Sequence, residues 1–100
     1  MNDFAEVDFD ALAKRHGTPF YLYDMDGAVA HVRRLRAALG GLAEVYYAIK
    51  ANANRKVIEH YRGEIDGIDL SSGGELTIAQ ASGYDARPMS FAGPGKTLEE

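Results

Sequence analysis

Cysteine is absent from the 100-residue chain. Its absence excludes disulfides and thiolate metal sites, and it fits a reducing compartment. No strong charge of either sign is present: 11 Lys and Arg against 15 Asp and Glu give a net charge of -4 at pH 7. There is accordingly no basic footprint for nucleic acid. No apolar run approaches the roughly 20 residues of a membrane span. The opening stretch, MNDFAEVDFDALAKRHG, is too charged for a signal peptide. His16, His31 and His60 lie on separate predicted helices without ligand spacing, so no metal site is expected. What is present, 46% hydrophobic and 26% charged residues, is the composition of a soluble globular protein, expected in the cytoplasm.

Local signals divide the chain into short elements. Asp8 to His16 predicts a helix, capped by Asp8 and closed by Gly17. Pro19 breaks that pattern, and FYLYD (20–24) predicts a strand rich in aromatics. A longer helix is expected from Asp26, with Val29, Val32, Leu35 and Leu39 on one stripe and Arg33, Arg34 and Arg36 on a solvated face. Gly40 and Gly41 end it. From there strand and helix alternate: EVYYAIKA then NRKVIEHYR capped by Asn54, GIDLS then GGELTIAQASG, and MSFAG. The terminal TLEE reads as the first turn of a further helix, which makes the chain look like part of something longer. Strand starts recur about every 22 residues with no hairpin turn between them, so the strands are expected to be parallel with right-handed crossovers. Such units suit a doubly wound sheet or the opening of a (β/α)8 barrel, which needs roughly 250 residues.

The candidate chemistry gathers at the carboxyl ends of these strands, where parallel α/β folds place their sites. Alternation puts Tyr46, Ala48 and Lys50 on one face of the first strand, with Val45, Tyr47 and Ile49 on the other. Asp69, flanked by Ile68 and Leu70, must point away from both. A lysine and a carboxylate would converge there beside the small Ala48. A buried lysine has a lowered pKa, and its neutral amine can attack a carbonyl carbon; the plain alternative is a structural ion pair between Lys50 and Asp69. Ser72 and Glu75 have the spacing of a capping box, although Glu75 would still stand at the same rim. GPGKT (93–97) resembles a phosphate-binding loop only superficially. The position five residues before Gly95 is Ser90, not glycine, and Pro94 removes an N–H from any cradle, so a tight turn is the better reading.

Taken together, GTPFYLYD (17–24), YAIKAN (47–52), GIDLSSGGEL (67–76) and FAGPGK (91–96) resemble the fold-type III pyridoxal-phosphate decarboxylases, the family of diaminopimelate and eukaryotic ornithine decarboxylases. The resemblance implies the first three βα units of an alanine-racemase-like (β/α)8 barrel over residues 25–100. It further implies that residues 1–24 supply a helix and an initial strand belonging to a C-terminal β domain that this chain does not contain. Within it, Lys50 matches the lysine that carries pyridoxal 5′-phosphate as a Schiff base, Asp69 an acid beside that lysine and the cofactor, and Glu75 a second acid that helps hold the lysine when substrate displaces it. Ala48 would lie under the cofactor ring. The resemblance implies decarboxylation of an amino acid, by a homodimer without membrane or nucleic-acid partners. The ring-stacking, phosphate-binding and partner-supplied groups would come from beyond residue 100, so the piece alone is expected to be inactive. GPGK is not the commonest form of its turn in diaminopimelate decarboxylases and is associated more with specialised-metabolite and siderophore pathways. An amino-acid racemase of the same barrel is a rival, but ANAN stands where its AYGHG would follow the lysine. A non-catalytic cofactor-binding or regulatory homologue would generally lose the lysine that is present here. A nucleotide-binding α/β domain lacks its phosphate loop.

Overall fold

A computed structural model describes residues 4–85 and 88–100, so the first three residues of the 1–24 segment lie outside the described residues. Helix α1 (Phe9–His16) starts where Asp8 accepts a hydrogen bond from the Ala11 N–H at 2.9 Å, and Gly17 closes it. Helix α2 (Met25–Leu39) begins earlier than expected, because Asp24 rather than Asp26 caps it, accepting from the Gly27 N–H at 3.0 Å. Gly40 ends it in the left-handed conformation, where a side chain would be strained.

Three parallel strands follow in the order β1 (Tyr46–Ala48), β2 (Gly67–Leu70) and β3 (Met89–Phe91), with β2 in the centre. Helix α3 (Arg55–Tyr61) joins the first two and α4 (Gly73–Ala81) stands between the last two. The register aligns Ala48 with Asp69 and Asp69 with Ser90. One face of the sheet therefore carries Tyr46, Ala48, Gly67, Asp69 and Ser90, and the other carries Tyr47, Ile68, Leu70, Met89 and Phe91.

Only the second face builds the core. Ile68 and Leu70 are buried with Ile58 of α3, Ala79 of α4, Ile49, Ile65 and Tyr84, while Val32 of α2, Tyr47, Met89 and Phe91 close around them. Full burial of one such isoleucine contributes about 1.5–3 kcal/mol. The phenol of Tyr84 also crosses the core to donate to the Ile58 carbonyl at 2.8 Å, which satisfies a hydroxyl that could not otherwise be buried. Among the described residues the helices thus cover one face of the sheet and leave the Asp69 face without a layer.

Four expectations need correction. The strand expected over 20–24 does not form: Phe20 to Tyr23 are exposed, among the described residues no strand pairs with them, and Tyr21 and Tyr23 stack on each other at 6.4 Å. The strand expected over 44–51 stops at Ala48 and gives way to a 3-10 turn, Ile49–Ala51. TLEE forms no helix, although Thr97 and Glu100 exchange the two hydrogen bonds of a capping box: Thr97 N–H to Glu100 Oε1 at 3.0 Å and Glu100 N–H to Thr97 Oγ1 at 3.4 Å. On α2, Leu35 is exposed rather than on the core stripe, and the three arginines, though exposed, all have partners, Arg34 meeting the His31 ring at 3.3 Å. Arg33 forks onto Glu64, and Arg36 meets Asp66 at 2.8 Å, tying α2 to the loop before β2.

Candidate functional site

The turn after β1 decides where Lys50 goes. Ile49 is drawn wholly into the core, and the tight turn then leaves Lys50 exposed at the carboxyl end of the strand. The segment beyond is pinned on both sides. The Tyr47 phenol donates to the Asn52 carbonyl at 2.7 Å, and the Asn52 side chain accepts from the Asn54 N–H at 3.0 Å. Asn54 in turn caps α3 by accepting from the Lys56 N–H at 2.9 Å. The ANAN run is thus a pair of short side-chain turns that bends the chain out of the sheet ladder and into a helix. Tyr47 also lies 5.0 Å from the ring of Tyr61, and burial, followed by that neighbour, holds its phenol above the ordinary range.

Asp69 is half-buried on the uncovered face, level with Ala48 on one side and Ser90 on the other. Ser90 Oγ donates to Asp69 Oδ1 at 2.8 Å, the two residues being 21 apart in sequence. Below this row sits Tyr46, whose ring occupies the space that a side chain at Gly67 would fill. Loss of hydration there, with Glu44 nearby, raises the Tyr46 phenol. Sequence reasoning missed Ser90. Its signal was the repeat itself, because a register step of 21 residues carries Ala48 to Asp69 and Asp69 to Ser90.

Glu75 stands at the same rim, half-buried in the first turn of α4. Its N–H donates to Ser72 Oγ at 3.2 Å, and its carboxylate accepts from the Ser71 N–H at 3.1 Å, one residue before the usual partner of a capping box. The GPGK turn crosses close over the end of β2. Ala92 N–H donates to the Leu70 carbonyl at 3.0 Å, and a Cβ on buried Gly93 would strike the Ser71 carbonyl. Lys96 folds back, its ammonium donating to the Phe91 carbonyl at 3.1 Å.

The structure thus brings Ala48, Lys50, Asp69 and Glu75 to one end of the sheet. It does not bury Lys50, and among the described residues no ion pair or hydrogen bond joins Lys50 to Asp69. Open clefts of about 320–380 Å³ lie around Phe20 to Asp24, α2 and Tyr61, one of them reaching Tyr47, Ala51 and Asn52, and none of them is lined by these four residues. Among the described residues no group of three or more His, Cys, Asp or Glu could hold a metal ion, and no helix is long and apolar enough to cross a membrane.

Comparison with known proteins supplies the family. The chain is 39% identical over 95 residues to L-glutamyl-[BtrI acyl-carrier protein] decarboxylase of Niallia circulans. It is 40% identical over 98 residues to diaminopimelate decarboxylase of Neisseria meningitidis serogroup B. A third relative, 2-[(L-alanin-3-ylcarbamoyl)methyl]-2-hydroxybutanedioate decarboxylase of Staphylococcus aureus, is 34% identical over 91 residues. These alignments take in 88–95% of this chain but only 22–23% of the length of the relatives. Residues 26–100 match the model of the pyridoxal-dependent decarboxylase family's pyridoxal binding domain. The parallel sheet, with the exposed Lys50 at the carboxyl end of β1, therefore lies within a pyridoxal-binding domain, and the chain belongs to the pyridoxal-dependent decarboxylase family.

Proposed function

We propose that this chain is the amino-terminal part of a pyridoxal-phosphate-dependent amino-acid decarboxylase, its three βα units opening a (β/α)8 barrel. The observation that carries the reading is the placement of Lys50. An exposed amine stands at the carboxyl end of β1, immediately after the fully buried Ile49, at the same end of the sheet as Asp69 and Glu75. A one-sided helix cover supports the barrel, since barrel strands turn their second face toward an interior.

The residues fit the cofactor that the family implies. Lys50 would hold it covalently through Nζ, which no ion pair occupies among the described residues. Ala48 places only a methyl group on that face, leaving room for a flat ring, and Asp69 offers a fixed carboxylate beside it. Bound there, pyridoxal phosphate supplies an electron sink that lets a carboxylate leave as carbon dioxide. Asp69 would supply negative charge beside the bound cofactor and the lysine that holds it. Glu75, held at the start of α4, keeps a second carboxylate at the rim to receive the lysine when substrate takes its place.

The substrate is an amino acid or an aminoacyl group, of diaminopimelate or specialised-metabolite type, as the relatives' names indicate for those proteins. The family pattern extends this to a cytoplasmic homodimer. The experiment is to add pyridoxal 5′-phosphate to the full-length protein, follow the yellow absorbance, and measure carbon dioxide release from a panel of amino acids. A coloured protein that releases carbon dioxide supports the reading. A coloured protein that only inverts the α-carbon would make it a racemase, and a colourless one would remove it from catalysis altogether.

A further inference from the structure

We infer that Ser90 is a positioning residue for the Asp69 carboxylate, and through it for the cofactor; this rests on the function proposed above. An aspartate on an uncovered face has a carboxylate that rotates broadly about its last bond. Here one oxygen is fixed. Ser90 Oγ donates to Asp69 Oδ1 at 2.8 Å across the β2–β3 ladder, and among the described residues no other group hydrogen-bonds to that carboxylate. With Oδ1 committed toward β3, Oδ2 is left for the β1 side, where Ala48 lies directly opposite Asp69 and Lys50 follows at the strand end. The arrangement is rigid because Ser90 is short and its backbone is held in the ladder, Ile68 and Leu70 on either side of Asp69 pairing with Met89 and Phe91. A hydrogen bond to an ionised acceptor is also stronger than a neutral one. Neither partner belongs to the core, so the bond orients a carboxylate at the rim more than it stabilises the fold.

The test uses the full-length protein, stripped of cofactor and titrated with pyridoxal 5′-phosphate while visible absorbance and circular dichroism of the bound cofactor are followed. Ser90→Ala should weaken cofactor affinity about ten-fold, the size of a hydrogen bond to a charged group, and should alter the dichroic band. Ser90→Thr, which keeps the hydroxyl, should restore both. In an Asp69→Ala background, Ser90→Ala should change affinity by less than about two-fold, because the acceptor is already gone. Ser90→Ala that leaves affinity and dichroism unmoved, or that costs as much without Asp69 as with it, overturns the inference. Borohydride labelling of Lys50 in the wild-type protein separates the two levels. A labelled Lys50 with a silent Ser90 rejects the positioning role alone, and an unlabelled Lys50 rejects both it and the proposed function.

Discussion

Ile49 is fully buried in the core while its neighbour Lys50 is exposed, and the tight turn between β1 and α3 is what parts them. Alternation along the strand already separated Val45, Tyr47 and Ile49 from the Lys50 face and Asp69 from Ile68, and the structure puts the first set and Ile68 in or against the core. It did not reveal that the strand ends before the lysine. That depends on Asn52 and Asn54 bonding to backbone N–H groups two residues on, and their side chains compete with the ladder. Asp69→Asn in the full-length protein keeps the shape and removes the charge. We expect reduced turnover with a melting temperature within a few degrees of wild type, as for substitutions outside a core; a large stability loss with intact activity would mean a structural role. At Glu64 the expectation concerns pH. The Arg33 guanidinium holds its carboxyl below the ordinary value of 4.5. A depressed folded pKa means that the pair contributes above the unfolded value and fades as pH falls through the folded one. Acid denaturation of wild type against Glu64→Gln should show a small difference near neutrality that closes on acidification, and a difference that widened in acid would contradict it.

Among the elements, those with both a side-chain cap and a buried face formed where expected: α3 behind Asn54 with Val57 and Ile58 inward, and α4 behind Ser72 with Ala79 inward. Helix α1 formed behind its Asp8 cap although none of its residues is buried, so the misread segments differ in lacking a neighbour that completes them. FYLYD has strand-forming side chains but no partner strand, and TLEE has its capping bonds but no further helix over the described residues. The crossing of the GPGK turn over β2 was invisible in sequence, because it requires the distance between Gly93 and the Ser71 carbonyl. It yields a sharp expectation. Gly93→Ala pushes a methyl group into backbone, not into a flexible side chain. It should destabilise the protein by about 1–3 kcal/mol in a urea melt, whereas Gly95→Ala, with open space around it, should be close to neutral. Equal effects at the two glycines would show that the crossing is not tight.

At the scale of the whole molecule the chain is open. Its radius of gyration is 16.1 Å, against about 13 Å for a compact domain of this length. Among the described residues β1 and β3 each have one unpaired edge, no layer covers the Asp69 face, and Tyr21 and Leu42 are about nine-tenths exposed. Unpaired edges and exposed apolar surface favour association. The isolated 100-residue chain should therefore sediment as concentration-dependent aggregates and lack decarboxylase activity; a monodisperse monomer with a sharp cooperative melt would show a self-sufficient domain. The claim on which the whole account turns is that Lys50 carries the cofactor. Borohydride reduction of the full-length protein with pyridoxal 5′-phosphate, followed by peptide mapping, tests it directly. The account predicts the label on Lys50, lost in Lys50→Ala and also in Lys50→Arg, because a guanidinium is no nucleophile at neutral pH. Label on Lys14, Lys56 or Lys96, with Lys50 unmodified, would contradict it.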